Sequence, residues 1–64
     1  MELSLAEYLV TFDATTGELA KICGESRQSL NYHIQKRDIF AEVDRSGLRE
    51  IYVKKPIRVL FRRR

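Results

Sequence analysis

A change of hydropathy period near residue 38 predicts an α+β fold, three short helices followed by a β-hairpin in a small antiparallel sheet. Two further observations agree with it. Each of the first three apolar stripes is preceded by a hydroxyl residue able to cap a helix, and a Gly-containing tetrapeptide separates the two alternating segments of the second half. The chain has 64 residues, enough for one domain that buries only about 60% of its unfolded surface and therefore gains from a partner subunit.

Ser4 and Glu7 have capping-box spacing, with Leu5, Tyr8, Leu9 and Phe12 following on one face, so the first helix is expected over residues 5–12. Thr15 and Glu18 repeat the box, and the stripe Leu19, Ala20, Ile22, Cys23 stops at Gly24, suited to a left-handed turn. Ser26 caps a third helix through Gln35. Its inner face holds Leu30 and Ile34; Arg27, Gln28, Asn31, Tyr32 and Gln35 look outward. After Asp38 the pattern alternates through Ile39, Ala41 and Val43, broken by Phe40, and Asp44-Arg45-Ser46-Gly47 supplies a hairpin turn. Residues 49–55 form the return strand, which Pro56 ends; such a strand is expected at a sheet edge, open to a second chain.

Charge is unevenly spread. Residues 1–26 carry five acids against Lys21, whereas residues 27–64 carry eleven Lys and Arg against Asp38, Glu42, Asp44 and Glu50. Basic charge gathered in one half of a short chain suits a polyanion, because release of condensed counterions drives binding to nucleic acid. No basic amphipathic helix and no long apolar run point to a membrane. One cysteine, Cys23, and one histidine, His33, give neither a disulfide nor a metal cluster. Cys23, on an apolar stripe, is expected as a structural thiol and His33 as an interhelical packing residue. With no second catalytic group in reach, no enzyme, cofactor or small-molecule ligand is expected, and the absence of a signal sequence suits the cytoplasm.

Residues 16–35 have the anatomy of a helix-turn-helix: small Ala20 where two helices approach, Gly24 four residues on in the turn, then Leu30 and Ile34 as anchors. An ordinary helical corner could show the same pair of small residues. On this reading Arg27, Gln28, Asn31, Tyr32 and Gln35 face base edges. Gln or Asn bonds adenine bidentately and Arg bonds guanine. Lys21, Ser26, Lys36 and Arg37 are the candidate phosphate contacts, and Lys54 and Lys55 are either solvated strand-end charges or further phosphate contacts.

The chain resembles the lambda-type Cro repressors of temperate phages. The resemblance rests on Glu7-Tyr8 and Phe12, on Ala20-Lys21, Gly24, Ser29-Leu30-Asn31 and Ile34, and on Ile39-Phe40, Gly47 and Lys55-Pro56. It spans residues 1 to about 58, with a two-residue insertion after the first helix and a one-residue deletion after the third. It implies a three-stranded sheet and a homodimer that represses transcription at a pseudo-palindromic DNA operator in a bacterial host, nucleoid-associated. Asn31 matches a DNA-contacting asparagine of the family, Arg27 and Gln28 stand at a base-reading glutamine and its neighbouring serine, Tyr32 at a lysine and Gln35 at a histidine. Lys54 and Lys55 become phosphate contacts. Ile51, Val53, Pro56 and Ile57 form the dimer interface, Ile57 replacing an aromatic plug. Residues 59–64 are then a basic C-terminal tail beyond a domain of residues 1–58. A strand-augmenting protein adaptor and a DNA-bending, excisionase-type winged-helix protein are the alternative readings.

Overall fold

The computed structural model describes residues 1–54 and 56–64, so the expected phosphate contact at Lys55 lies outside the described residues. Among these, α1 (Leu5–Thr11), α2 (Thr16–Cys23) and α3 (Arg27–Lys36) lie between a short strand β1 (Glu2–Ser4) and three strands β2 (Ile39–Asp44), β3 (Gly47–Lys54) and β4 (Ile57–Arg62). The sheet is antiparallel in the order β1-β2-β3-β4.

The helices start where their caps direct. The Ser4 hydroxyl accepts from the Glu7 N–H at 3.2 Å and the Glu7 carboxylate accepts from the Ser4 N–H at 3.3 Å. Thr15 accepts from the Glu18 N–H at 3.2 Å, and Ser26 from the Ser29 N–H at 3.0 Å. Each satisfies a donor that a helix N-terminus leaves open, a contribution of about 1 kcal/mol.

All three helices stop in the same way. Asp13, Gly24 and Arg37 adopt positive φ, at 52°, 67° and 60°. The N–H groups of the next residues, Ala14, Glu25 and Asp38, return to the carbonyls of Leu9, Ala20 and His33. This is the Schellman closure, in which a left-handed residue lets the chain turn back over the last carbonyls. Only Gly24 is the residue type that adopts the conformation without strain.

The sheet packs one face on the helices. Leu5, Leu30, Ile39 and Ile51 are fully buried in that interface, with Tyr8, Leu19, Ala20, Ala41, Val43 and Val53 around them. Phe12, which shares the apolar face of the first helix in the sequence, is half exposed and stacks on Tyr8 at 4.8 Å between centroids. Asp44 pairs with Gly47 across the tight turn, whose Ser46 N–H donates to the Asp44 carboxylate at 2.8 Å.

Four strands are present where three were expected. β1 pairs Leu3 with Ala41, and β4 folds back so that Ile51 faces Phe61 and Val53 faces Arg58. Pro56 therefore interrupts the sheet for one turn instead of ending it. Ile57, Val59 and Phe61 carry strand-forming β-branched and aromatic side chains, and Leu60 and Phe61 pack against the core, which offsets the ordering of the segment. Residues 59–62, expected in a tail, belong to β4. Arg62 pairs with Glu50 at 2.7 Å, and the Arg63 guanidinium binds the Asp44 carboxylate.

Candidate nucleic-acid interface

The two helices of the expected helix-turn-helix segment are present as α2 and α3. Ala20 is buried where the helices meet, the turn runs through Gly24 at φ 67°, ψ 28°, and Leu30 anchors α3 with no exposed surface. Ile34, one turn on, packs partly against the core. With one face of α3 committed to the core, periodicity puts Gln28, Asn31, Tyr32 and Gln35 on the opposite face, with Arg27 at its start, and all five are exposed.

The chemistry of that face is uniform. From Ser26 to Arg37 there is no acidic residue, while Arg27, Lys36 and Arg37 are cationic. The flanking acids are occupied: Glu25 accepts from the Ser29 hydroxyl at 2.9 Å, and Asp38, 9% exposed, accepts from His33 Nδ1 at 3.0 Å and lies 3.8 Å from the Lys36 ammonium. His33 is thus tied to Asp38 just beyond the end of α3, with its ring edge-on to Tyr32. Tyr32, 57% exposed, lies under the Lys36 ammonium at 5.1 Å, a cation–ring contact between two exposed residues of this helix.

The expected phosphate contacts divide into two groups. Lys36, Arg37 and Lys54 converge, with Asp38 and Phe40, around a shallow pocket of about 300 Å³ at the C-terminal end of α3. The backbone sets this convergence, since the Lys54 N–H donates to the Asp38 carbonyl at 3.0 Å. Lys54 is also held by Glu2 at 3.1 Å and lies 4.2 Å from the Phe40 ring centre. The Glu2 carboxyl is kept below the usual range by hydrogen bonds from Tyr52 and Lys54, while burial and the bond to Glu2 push the Tyr52 phenol upward. The second group lies at the α2–α3 turn: Lys21 is exposed on the last turn of α2, and Ser26 is engaged as the cap of α3. Phe40 was not anticipated as part of this surface. Its signal is the break it makes in the alternation of β2, an aromatic ring on the open face of the sheet.

The expected dimer residues are separated. Ile51 and Val53 are buried in the core of their own chain, and β4 pairs with the strand edge that was expected to be free. Pro56 and Ile57 remain exposed, Ile57 at 80%. Cys23 is half buried beside Glu25, and burial followed by that carboxylate pushes its thiol up to about 11, away from nucleophilic use. No group of three or more His, Cys, Asp or Glu gathers among the described residues, and no helix there is long and apolar enough to cross a membrane. No family model, no curated protein and no solved structure matches the chain.

Proposed function

We propose that the protein is a sequence-specific DNA-binding transcriptional repressor of phage or prophage type, with α3 in the major groove. One observation carries this reading. A capped helix, set off by a glycine turn and anchored by Leu30, presents Arg27, Gln28, Asn31, Tyr32 and Gln35 together on an exposed face free of carboxylates. Long polar arms on such a face match the donor and acceptor pattern of base edges. The pocket cations Lys36, Arg37 and Lys54 at one end and Lys21 at the other supply backbone contacts that fix position without specifying sequence.

Repression follows from occupying a pseudo-palindromic operator as a homodimer and excluding other proteins from it. The free strand edge opposite β1 belongs to β4, and Ile57 and Val59 are exposed on that strand, so a second copy meets this chain there instead of along β3. Selection of bound molecules from random-sequence duplexes, followed by gel shifts on the enriched sequence, tests the reading. Enrichment of a two-half-site sequence is expected. Failure to enrich any sequence, with equal affinity for every duplex, overturns it.

A further inference from the structure

The strongest charged feature outside α3 lies at the hairpin end of the sheet. Arg45 occupies the β2–β3 turn, Arg49 is the extra residue of the bulge where Glu42 pairs with Glu50 and Val43 with Leu48, and Arg63 and Arg64 follow β4. The Arg63 N–H donates to the Arg49 carbonyl at 2.7 Å, which brings the end of β4 alongside the bulge. The Arg63 guanidinium binds the Asp44 carboxylate, Arg49 acts on it through its charge, and Arg45 and Arg64 follow Asp44 and Arg63 in the chain, so four arginines share this end of the sheet.

That carboxylate organises the cluster without neutralising it. Asp44 accepts from Arg63 Nη1 at 3.2 Å and from the Ser46 N–H at 2.8 Å, and these bonds, with the charge of Arg49 added, hold its carboxyl below the usual range. The other acids near this end already have partners: Glu42 pairs with the Met1 ammonium at 2.9 Å and Glu50 with Arg62 at 2.7 Å. Arg45, Arg49 and Arg64 are exposed, and the described residues give none of them a carboxylate partner within salt-bridge distance.

We propose that this arginine cluster is a second phosphate-contact surface, which engages the DNA backbone outside the segment that α3 reads. It rests on the DNA-binding reading above for the identity of the polyanion. Guanidinium groups match phosphate oxygens in planar, paired hydrogen bonds, and an exposed spread of them, with no enclosing pocket, suits a polymer of phosphates better than a single small anion. The reach is adequate. Two residues separate α3 from β2, which runs for six residues, and at about 3.3 Å per residue the turn stands roughly 17 Å from the start of β2, half of the roughly 34 Å helical repeat of DNA. Such contacts add affinity and salt dependence but no sequence preference.

The test compares the wild type with the triple variant Arg45→Ala, Arg49→Ala, Arg64→Ala and with the corresponding triple Arg→Lys variant. Arg63 is left in place because it closes the sheet onto Asp44. Each protein is titrated with the selected duplex carrying long flanks, with the same duplex trimmed to its core, and with a random duplex, over a range of salt. On the long duplex the Ala variant is expected to bind more weakly, with a salt slope smaller by about 0.9 for each phosphate that the cluster no longer neutralises. Its ratio of selected to random affinity stays within twofold of wild type, and the Lys variant recovers most of the slope. Matching slopes and affinities for wild type and Ala variant on the long duplex overturn the proposal while leaving the reading role of α3 intact. A wild type that binds all duplexes equally, with the Ala variant weaker on each, removes sequence reading and leaves the cluster as the phosphate surface. No binding of the wild type to any duplex defeats both. Should the Ala triple fail to fold, the same comparison is made with Arg45→Ala alone, a change confined to the turn.

Discussion

Arg37→Gly should stabilise the protein and weaken the DNA binding proposed for it. Arg37 ends α3 at φ 60°, ψ 35°, a region in which a Cβ crowds the following carbonyl at a cost of about 1–2 kcal/mol. Glycine relieves that strain and brings back roughly 0.5–1 kcal/mol of backbone entropy cost. The net gain is about 0.5–1 kcal/mol. For a domain of this size, about 4–8 °C of Tm per kcal/mol makes that an increase of roughly 2–8 °C in a thermal melt. Arg37→Ala serves as the reference, since it removes the same guanidinium and keeps the Cβ, and it should melt no higher than wild type. Both variants remove one of the three cations around the pocket at the end of α3, so each should lower the salt slope of DNA binding by about 0.9 per protomer. A glycine variant that melts with or below the alanine variant would refute the strain argument.

Leu30→Ala empties a fully buried site and should cost about 2–5 kcal/mol, much of the roughly 3–10 kcal/mol expected of a chain this size, so urea denaturation should show a largely unfolded population. Gln28→Ala and Asn31→Ala should each lose about 1–3 kcal/mol of discrimination at one base pair per half-site, measured by competition between selected and point-changed duplexes, with little change in Tm. Because Arg63 and the Ser46 N–H hold the Asp44 carboxyl below its ordinary value of 3.8, the stabilisation from its ionised form is full above that value and is lost as pH falls through the lowered one. Acid titration of Asp44→Asn followed by circular dichroism should therefore show a shallower loss of structure below about pH 4. Ile57→Asp should shift sedimentation toward the monomer at the concentrations where wild type associates, and a wild type that is monomeric throughout would remove the dimer from the proposal.

The features legible in the sequence are those whose causes are local. Ser4, Thr15 and Ser26 cap helices through bonds to residues three places on, and Gly24 and the Asp44–Gly47 turn act within four residues, so helix starts, the turn between α2 and α3 and the hairpin follow from short windows. The exposed face of α3 follows from helical period alone. β1 and β4 depend on distant partners. Three residues are too few to show an alternating pattern, and the pairing of Leu3 with Ala41 has no local signature. Pro56 suggested a strand end, whereas the alternation that resumes at Ile57 continues the sheet after a reversal, and this moved the free edge from β3 to β4. The left-handed Arg37 and Asp13 were equally hidden, because neither is the residue that such a conformation usually selects. The arginines at the hairpin end have no local signature, because they are scattered between residues 45 and 64 and share one end of the sheet only once β4 lies against β3.

The pairing of β1 with β2 also has a kinetic side. β2, β3 and β4 join through consecutive reversals, and such short closures can form within microseconds. The match of Leu3 with Ala41 closes a loop that contains all three helices, so its entropy is lost only when those helices are already compact. β1 then works as a clasp, fastened last and released first. In native-state hydrogen exchange, the amides tied between β1 and β2, including the Val43 N–H on the Met1 carbonyl, should open at a lower free energy than those between β2 and β3. Opening there would loosen α1 while leaving the α3-to-hairpin connection closed, so the half of the molecule that carries α3 can keep its shape through the commonest fluctuations of the other half.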